Sequence, residues 1–205
     1  MRADLGLARR DLTAVRDLLT MRQSELRALL DYVRSSGLPG GHGVAERIAG
    51  ELCEVDDKPF ATIPGEAAGL FSMLDSPPVA RALTRSDFDI EEGAGRQADL
   101  FVVYPLEYLD AMPAPARLVL GLTMQASLAR GRHQQPQLYM LDELPRLGFL
   151  KPVQTLLSAG AGLSLRLWAI AQNSEQISQV YGSDGLAEFR ENAVAQQVFG
   201  ADGEE

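Results

Sequence analysis

Short apolar runs that alternate with helical patterns constrain the fold of this chain more than any other feature. One strand-like run covers 137–141, and a helical pattern around 151–159 separates it from a second run at 165–171. Two strands joined through a helix predict a right-handed crossover and a parallel pair. Further strand-like runs lie at 100–104 and 193–199, and further helical patterns at about 114–130 and 174–179. We therefore predict an α/β fold with a parallel sheet covered by helices on both faces.

The first third of the chain has a purely helical pattern. Apolar residues recur there at three- and four-residue steps, between arginines and acids: Leu12, Val15, Leu18, Leu19, Leu26, Leu29, Leu30 and Val33. A glycine-rich stretch at 37–43, predicted as a helix–helix turn, and a second break at 56–59 divide this pattern. A helix over 65–74 stops at Asp75, where Ser76 can cap the next turn. We expect a small all-α domain over residues 1–85 and the α/β part over residues 86–205.

Charge and cysteine usage limit the classes of function. The chain has 19 Lys and Arg against 28 Asp and Glu, a net charge of −9, which argues against a generic nucleic-acid coat. Any DNA contact must therefore be local. Cys53 is the sole cysteine, so an internal disulfide is impossible and a reducing compartment is the simpler reading. The apolar stretch 118–129 is about half as long as a bilayer span requires, so we expect no membrane span in these residues.

Polar side chains follow two of the predicted strands. Asp142 and Glu143 come directly after the run 137–141, and Gln172 follows the run 165–171. Ligands of parallel sheets lie beyond the carboxyl ends of the strands. This layout is that of a Walker B motif, in which one acid holds Mg²⁺ through water and a second carboxylate orients the attacking water. A solvated acidic turn after an ordinary strand is the alternative.

We assign these roles by position. Asp142 is the candidate magnesium acid, Glu143 the candidate catalytic carboxylate, and Gln172 the candidate sensor of the γ-phosphate at the end of the neighbouring strand. The phosphate-binding partner motif, GxxxxGK followed by Ser or Thr, is absent, since neither Lys58 nor Lys151 follows such a loop. We therefore expect this chain alone to bind nucleotide poorly.

Other candidate chemistry has weaker support. His42 and His133 have no companions at metal-ligand spacing, and Cys53 is expected to be a packed thiol. Trp168 lies inside a predicted strand and is expected in the core. Arg146 and Arg166 fit either arginine fingers of an oligomer or, more commonly, solvated surface arginines.

The segment 138–148, LYMLDELPRLG, resembles the Walker B region of the TraG/TraD-type coupling proteins, in which Asp-Glu is followed by a short turn ending in Leu-Gly. The stretches after it and before it match the same family, from about residue 62 to the end: Gly160 and Gly162, 171–174, 176–182, 191–205, and upstream 74–79 and 83–89. Residues 1–60 match only in being helical, as the family's all-α insertion would be.

The resemblance implies a partial RecA-like motor with ATP and Mg²⁺ as cofactors. Such proteins are hexameric ATPases on the cytoplasmic side of the bacterial inner membrane. They receive a relaxase with its single-stranded DNA, or protein effectors, and pass them to a type IV secretion channel. Their membrane anchor and P-loop precede the helical insertion, so both would lie upstream of Met1 and this chain would be an internal fragment or the product of a split gene.

Two hypotheses of different class follow. In the first, the chain is the Walker B half of a translocating motor together with most of its all-α domain, which docks the substrate. In the second, it is a non-catalytic helical module that binds proteins, and Asp142 with Glu143 is merely a turn. The gene sequence before Met1 separates the two, because only the motor requires a P-loop there.

Overall fold

The computed structural model describes residues 11–37, 43–90 and 98–200. The chain divides into two compact units, Met1–Asp87 and Phe88–Glu205. None of the helices in the described ranges is both long and apolar enough to cross a bilayer.

The described part of the first unit is helical. Its elements are α1 (Leu12–Leu19), α2 (Gln23–Ser36), α3 (Val44–Cys53), α4 (Asp57–Leu70), a 3₁₀ helix (Ser72–Asp75) and α5 (Pro77–Ala82). The side chain of Asp11 caps α1 by accepting a hydrogen bond from the amide of Ala14. Pro77 begins α5 directly after Ser76, as the sequence predicts, but the side chain of Ser76 forms no capping hydrogen bond, so that part of the prediction is wrong.

Breaks between the helices follow local chemistry. Gly37 ends α2 at a φ of 57° and Gly43 precedes α3 at a φ of 72°, values that favour glycine. The rest of the predicted turn at 37–43 lies outside the described residues. The predicted break at 56–59 is shorter than expected, because α4 starts at Asp57 and Pro59 falls in its first turn, where no amide hydrogen is needed.

Arg27 and Phe60 join three helices of the first unit. The guanidinium of Arg27 lies 4.1 Å from the centre of the Phe60 ring, and that ring is 1% exposed. Arg27 also donates to the carbonyl oxygens of Cys53 and Val55, at 3.3 and 2.7 Å. The guanidinium thus bonds the carbonyl oxygens at the end of α3, while its flat face covers the apolar Phe60 ring on α4.

The second unit contains both helices and strands. Its elements are α6 (Leu106–Ala111), α7 (Ala114–Ala129), β1 (Gln137–Leu141), a 3₁₀ helix (Leu144–Leu147), α8 (Lys151–Ala159), a 3₁₀ helix (Gly160–Leu163), β2 (Leu165–Ala169) and α9 (Ser174–Asn192). Within α9 the backbone leaves helical geometry at Gly182, at a φ of 78°.

The strands β1 and β2 pair in parallel, from Gln137 with Leu165 to Leu141 with Ala169. The helix α8 lies between them in sequence, so the predicted β–α–β unit is confirmed. One face of the sheet packs into the core of this unit, which α7, α8 and α9 also line: Leu109, Ala116, Met124, Leu141, Leu144, Leu147, Leu150, Val153, Leu156, Leu165 and Tyr181. Leucine dominates this core.

Two further predicted strands are wrong. Residues 100–104 and 193–199 form no strand, and their apolar side chains are largely in solvent, with Phe101 and Phe199 each 83% exposed. A strand requires hydrogen bonds to a neighbour. Among the described residues the sheet consists of β1 and β2, so neither run has a paired strand.

The sheet is also covered on one face rather than on both, among the described residues. Leu138, Met140 and Trp168 occupy the other face, where Met140 lies opposite Trp168 in the register. Trp168 is 53% exposed, so its predicted place in the core is wrong. Successive side chains of a strand point to opposite faces, and the helices pack on the face that carries Tyr139 and Leu141.

Candidate functional site

The candidate residues at the two strand ends lie on one edge of the sheet. Because β1 and β2 are parallel and in register, Asp142 and Glu143 leave β1 beside the residues that leave β2. The amide of Ile170 donates to Leu141 and the amide of Leu144 donates to Ile170, both at 3.0 Å. These two hydrogen bonds extend the pairing beyond the strands and fix the turn that carries the acids.

Glu143 has an unusual backbone conformation. Its φ of 53° and ψ of 41° are left-handed, a region that costs a residue with a side chain about 1–2 kcal/mol. Leu144, which follows, is fully buried in the core, and the 3₁₀ helix Leu144–Leu147 starts there. The buried leucine holds the turn in place, so the fold tolerates the strain at Glu143.

Glu143 and Gln172 are in contact. The amide nitrogen Nε2 of Gln172 lies 3.2 Å from Oε1 and 3.4 Å from Oε2 of Glu143. The carboxylate side chain is 22% exposed, so it is partly withdrawn from solvent yet open to a small molecule. The structure thus brings together the acid and the amide that the sequence places at neighbouring strand ends.

Asp142 is exposed at the same turn and forms no hydrogen bond or ion pair with the described residues. No group of three or more His, Cys, Asp and Glu within the described ranges could hold a metal ion. A free carboxylate of this kind suits Mg²⁺, which keeps most of its water and takes one or two protein oxygens beside phosphate.

Arg146 is the one feature of the site whose role the sequence left open. Its Nε donates to Oε2 of Glu143 at 3.3 Å, and its Nη1 lies 2.7 and 2.6 Å from the two carboxylate oxygens of Asp110 on α6. The hydrogen bonds to Asp110, and then to Glu143, raise the pKa of Arg146 above its ordinary value. Arg146 is therefore bound to acids of its own chain. Arg166, the other candidate, lies on the uncovered face of the sheet and donates to the carbonyl of Leu165.

The start of α9 orients Gln172. The side chain of Asn173 caps α9 by accepting from the amide of Gln176 at 2.9 Å, and Oε1 of Gln176 accepts from the amide of Gln172 at 3.3 Å. Asn173 and Gln176 have the spacing of a capping box, a signal that was readable in the sequence. Asp110 had no such signal, because it lies 36 residues from Arg146.

His133 does not contribute to this edge. His133 is buried at the opposite end of the sheet, with Nε2 2.9 Å from the carbonyl oxygen of Ser127. His42 lies outside the described residues. The phosphate-binding motif is absent from the sequence, so the site as described has acids and an amide but no loop to hold a triphosphate.

Comparison with known proteins points to one family. The family model described as "Type IV secretory system Conjugative DNA transfer" matches residues 39–205. The conjugal transfer protein TraG of Agrobacterium fabrum is 31% identical over 136 residues, which cover 65% of this chain and 21% of that protein. The coupling protein VirD4 of Bartonella quintana is 24% identical over 146 residues, which cover 71% of this chain and 23% of that protein.

A solved structure has the same fold. The plasmid coupling protein TrwB, in complex with the non-hydrolysable GTP analogue GDPNP, superposes with a TM-score of 0.61 at 16% identity, over 88% of this chain and 40% of that one. At 16% sequence identity, this superposition shows a shared fold and no more. The chain spans about a fifth of the length of the curated relatives it matches.

Proposed function

Since this chain belongs to the type IV secretory system conjugative DNA transfer family, we propose that it is the Walker B portion of a coupling-protein ATPase. In this proposal the complete protein recruits a relaxase with its single-stranded DNA, or protein effectors, and drives them into a type IV secretion channel. The all-α domain, residues 1–85, docks the substrate, and residues 86–205 are part of the motor.

The contact between Glu143 and Gln172 carries the proposal. The carboxylate and the amide lie 3.2 Å apart at the carboxyl edge of a parallel pair, the edge at which parallel sheets bind their ligands. A carboxylate at this edge can orient the attacking water of nucleotide hydrolysis. The alternative of a solvated acidic turn does not require an amide from the neighbouring strand to bond the acid. The GTP analogue bound to TrwB adds support for nucleotide chemistry in this fold.

Each residue has a distinct part. Asp142, free and exposed, would hold Mg²⁺ through water, and the bound metal would neutralise charge that develops on the phosphates. Glu143 would accept a hydrogen bond from the attacking water and align it for in-line attack. Gln172 donates to Glu143; in this proposal it senses the γ-phosphate of ATP, so its contacts would change once that phosphate leaves.

The assembly around this chain is likewise proposed from the family to which the chain belongs. The phosphate-binding loop and the membrane anchor would belong to segments of the complete protein outside these residues, on the cytoplasmic side of the bacterial inner membrane. Six copies would form a ring, with hydrolysis at the subunit interfaces. The net charge of −9 on these 205 residues restricts any DNA contact that they make to local surfaces.

Glu143→Gln in the complete protein tests the catalytic assignment. We expect turnover of ATP to fall at least about 100-fold, because an amide cannot accept the proton or align the water as a carboxylate does. Nucleotide affinity should stay within about twofold, because in this proposal Glu143 would contact the attacking water rather than the nucleotide. Steady-state hydrolysis and binding of a fluorescent nucleotide measure the two quantities.

Glu191→Gln is the matched control, since Glu191 is exposed at the end of α9. Its hydrolysis rate should equal that of the wild type. Near-normal hydrolysis by Glu143→Gln would show that Glu143 is not the catalytic carboxylate.

A non-catalytic helical module that binds proteins is the second candidate, and the missing GxxxxGK motif favours it for this chain in isolation. Nucleotide binding separates the two. The motor hypothesis expects the 205-residue chain to bind ATP poorly and the complete protein to bind it well. If the complete protein also fails to bind ATP, and the gene sequence before Met1 encodes no P-loop, the module is the correct description.

A further inference from the structure

We propose that Arg146 is a positioning residue that holds the carboxylate of Glu143 at the edge of the sheet, and that Asp110 holds Arg146 in turn. The inference rests on the proposed function, in which Glu143 aligns the attacking water. It adds two residues to the site, one of them on α6, an element to which the sequence assigned no role.

Local geometry explains why Arg146 reaches Glu143. Glu143 stands directly before the 3₁₀ helix Leu144–Leu147, and Arg146 lies within that helix, three residues after Glu143. The amide of Arg146 donates to the carbonyl of Glu143 at 2.9 Å, which closes the turn. The side-chain contact, Nε to Oε2 at 3.3 Å, therefore joins two residues whose backbones are already fixed.

Asp110 makes the arrangement more than a local pair. The guanidinium uses different nitrogens for its two partners, Nη1 for Asp110 and Nε for Glu143, so both bonds exist together. An arginine head has a planar, fixed set of donors, and holding one nitrogen orients the others. The carboxylate of Asp110 is 58% exposed, and it anchors the arginine without being part of the reaction edge.

The carboxylate of Glu143 consequently accepts from two donors. Gln172 donates from the end of β2, and Arg146 donates from the 3₁₀ helix. If Arg146 is removed, the neutral amide is left as the partner, and the flexible glutamate side chain can rotate away from the edge. Misplacement of a catalytic group lowers the rate of the chemical step more than it lowers substrate binding.

The same contacts argue against an arginine finger. A finger must extend toward the nucleotide of a neighbouring subunit, whereas Arg146 is held by two carboxylates of its own chain. A positioning residue acts within one subunit. A finger acts between two, and mixed assemblies distinguish them.

The test uses the complete protein with four variants: Arg146→Gln, Arg146→Lys, Asp110→Asn and the Asp110→Asn/Arg146→Gln double variant. We expect Arg146→Gln to lower kcat about 10-fold with KM and nucleotide Kd within about twofold. Arg146→Lys should recover part of the rate, because a lysine head can bond one acid at a time. Asp110→Asn should lower kcat several-fold alone and add nothing to Arg146→Gln, since Asp110 acts through Arg146.

A second readout needs no nucleotide. Hydrogen exchange of the nucleotide-free protein should speed up at 142–148 in Arg146→Gln and in Asp110→Asn, and it should be unchanged in α8. Arg132→Gln is the matched control, because Arg132 is exposed and precedes β1 at the opposite end of the sheet. It should alter neither exchange at 142–148 nor kcat.

The outcomes separate this inference from the proposed function. If Glu143→Gln abolishes hydrolysis while Arg146→Gln leaves kcat intact, the positioning role is wrong and the proposed function stands. If Glu143→Gln itself retains hydrolysis, the proposed function is wrong. Restored activity on mixing Arg146→Gln with Glu143→Gln subunits would show an arginine finger and overturn the inference, because a positioning residue must share a subunit with Glu143.

Discussion

At the scale of single residues, the most informative feature is the backbone of Glu143. A glutamate in left-handed geometry is unfavourable, and its φ of 53° places it in a region that glycine occupies at little cost. Strained residues of this kind gather at functional sites, where the surrounding fold holds them. Here the buried side chain of Leu144 and the hydrogen bond from its amide to Ile170 hold the turn.

Replacement of Glu143 should reveal this strain as a difference between two variants. We expect Glu143→Gly to be more stable than Glu143→Ala by about 0.5–1 kcal/mol. Glycine avoids the left-handed penalty of about 1–2 kcal/mol, and part of that gain is offset by the larger entropy of its unfolded chain. The free energies of unfolding of the two variants, measured in urea, give the difference.

Two other positions serve as controls for this measurement. Ser164 also has a positive φ, 61°, so its glycine variant should likewise be more stable than its alanine variant. Glu188 lies in α9, where alanine should be more stable than glycine by about 1 kcal/mol. If glycine is the less stable choice at Glu143 as well, the strain described for that residue is absent in solution.

At the scale of elements, one tyrosine joins the sheet to a helix. The hydroxyl of Tyr139 on β1 lies 2.7 Å from Oγ of Ser127 and 3.0 Å from the carbonyl oxygen of Thr123, both on α7. Oγ of Ser127 in turn lies 3.1 Å from Oε1 of Gln137. This network pairs polar groups at the boundary between β1 and α7 that would otherwise be costly to bury.

Tyr139→Phe should therefore weaken the second unit in a pH-dependent way. At neutral pH we expect a loss of about 1 kcal/mol of unfolding free energy from the missing hydrogen bonds. Burial raises the pKa of Tyr139 above 10.0, and the hydrogen bond to Ser127 lowers it in part. Its neutral form therefore stabilises the fold fully below pH 10, and this contribution is lost as the pH rises through the raised value.

Urea unfolding at pH 7 and above pH 10 measures both effects. The wild type should lose stability above pH 10, and Tyr139→Phe should lose less, because it has one buried phenol fewer to ionise. Tyr108→Phe is the matched control, since Tyr108 is exposed on α6 and should alter neither value. If the wild type and Tyr139→Phe lose the same unfolding free energy above pH 10, Tyr139 ionises as readily in the folded state as in the unfolded one.

At the scale of the whole molecule, the division into two compact units has an energetic consequence. Each unit has its own buried residues, with Phe60 in the first and the cluster around Leu144 and Val153 in the second. Local unfolding in one unit need not open the other. The boundary between Asp87 and Phe88 follows the end of the helical elements of the first unit.

Phe60→Ala should destabilise the first unit selectively. We expect a loss of about 3 kcal/mol or more there, from the cavity and from the lost contact with Arg27. Hydrogen exchange read by mass spectrometry should rise in α2, α3 and α4 and stay constant in β1 and β2. Leu70→Ala, at an exposed position of α4, should change hydrogen exchange in neither unit. Equal destabilisation of both units would mean that they unfold together.

The sequence by itself determined the elements whose signal is local. Periodicity located α7, α8, β1 and β2, and the rule for parallel strands placed Asp142, Glu143 and Gln172 at one edge of the sheet. The resemblance to coupling proteins, read from residues 138–148 and their surroundings, is confirmed by the family match. The catalytic roles of the three residues stay predictions.

Only the tertiary structure decided what depends on distant parts of the chain. Whether the apolar runs 100–104 and 193–199 become strands depends on a pairing partner, and whether Trp168 is buried depends on what covers that face of the sheet. The contact of Asp110 with Arg146 joins positions 36 residues apart, and no local pattern encodes it. Periodicity records which side of an element is apolar, whereas pairing and long-range contacts exist only once the chain has folded.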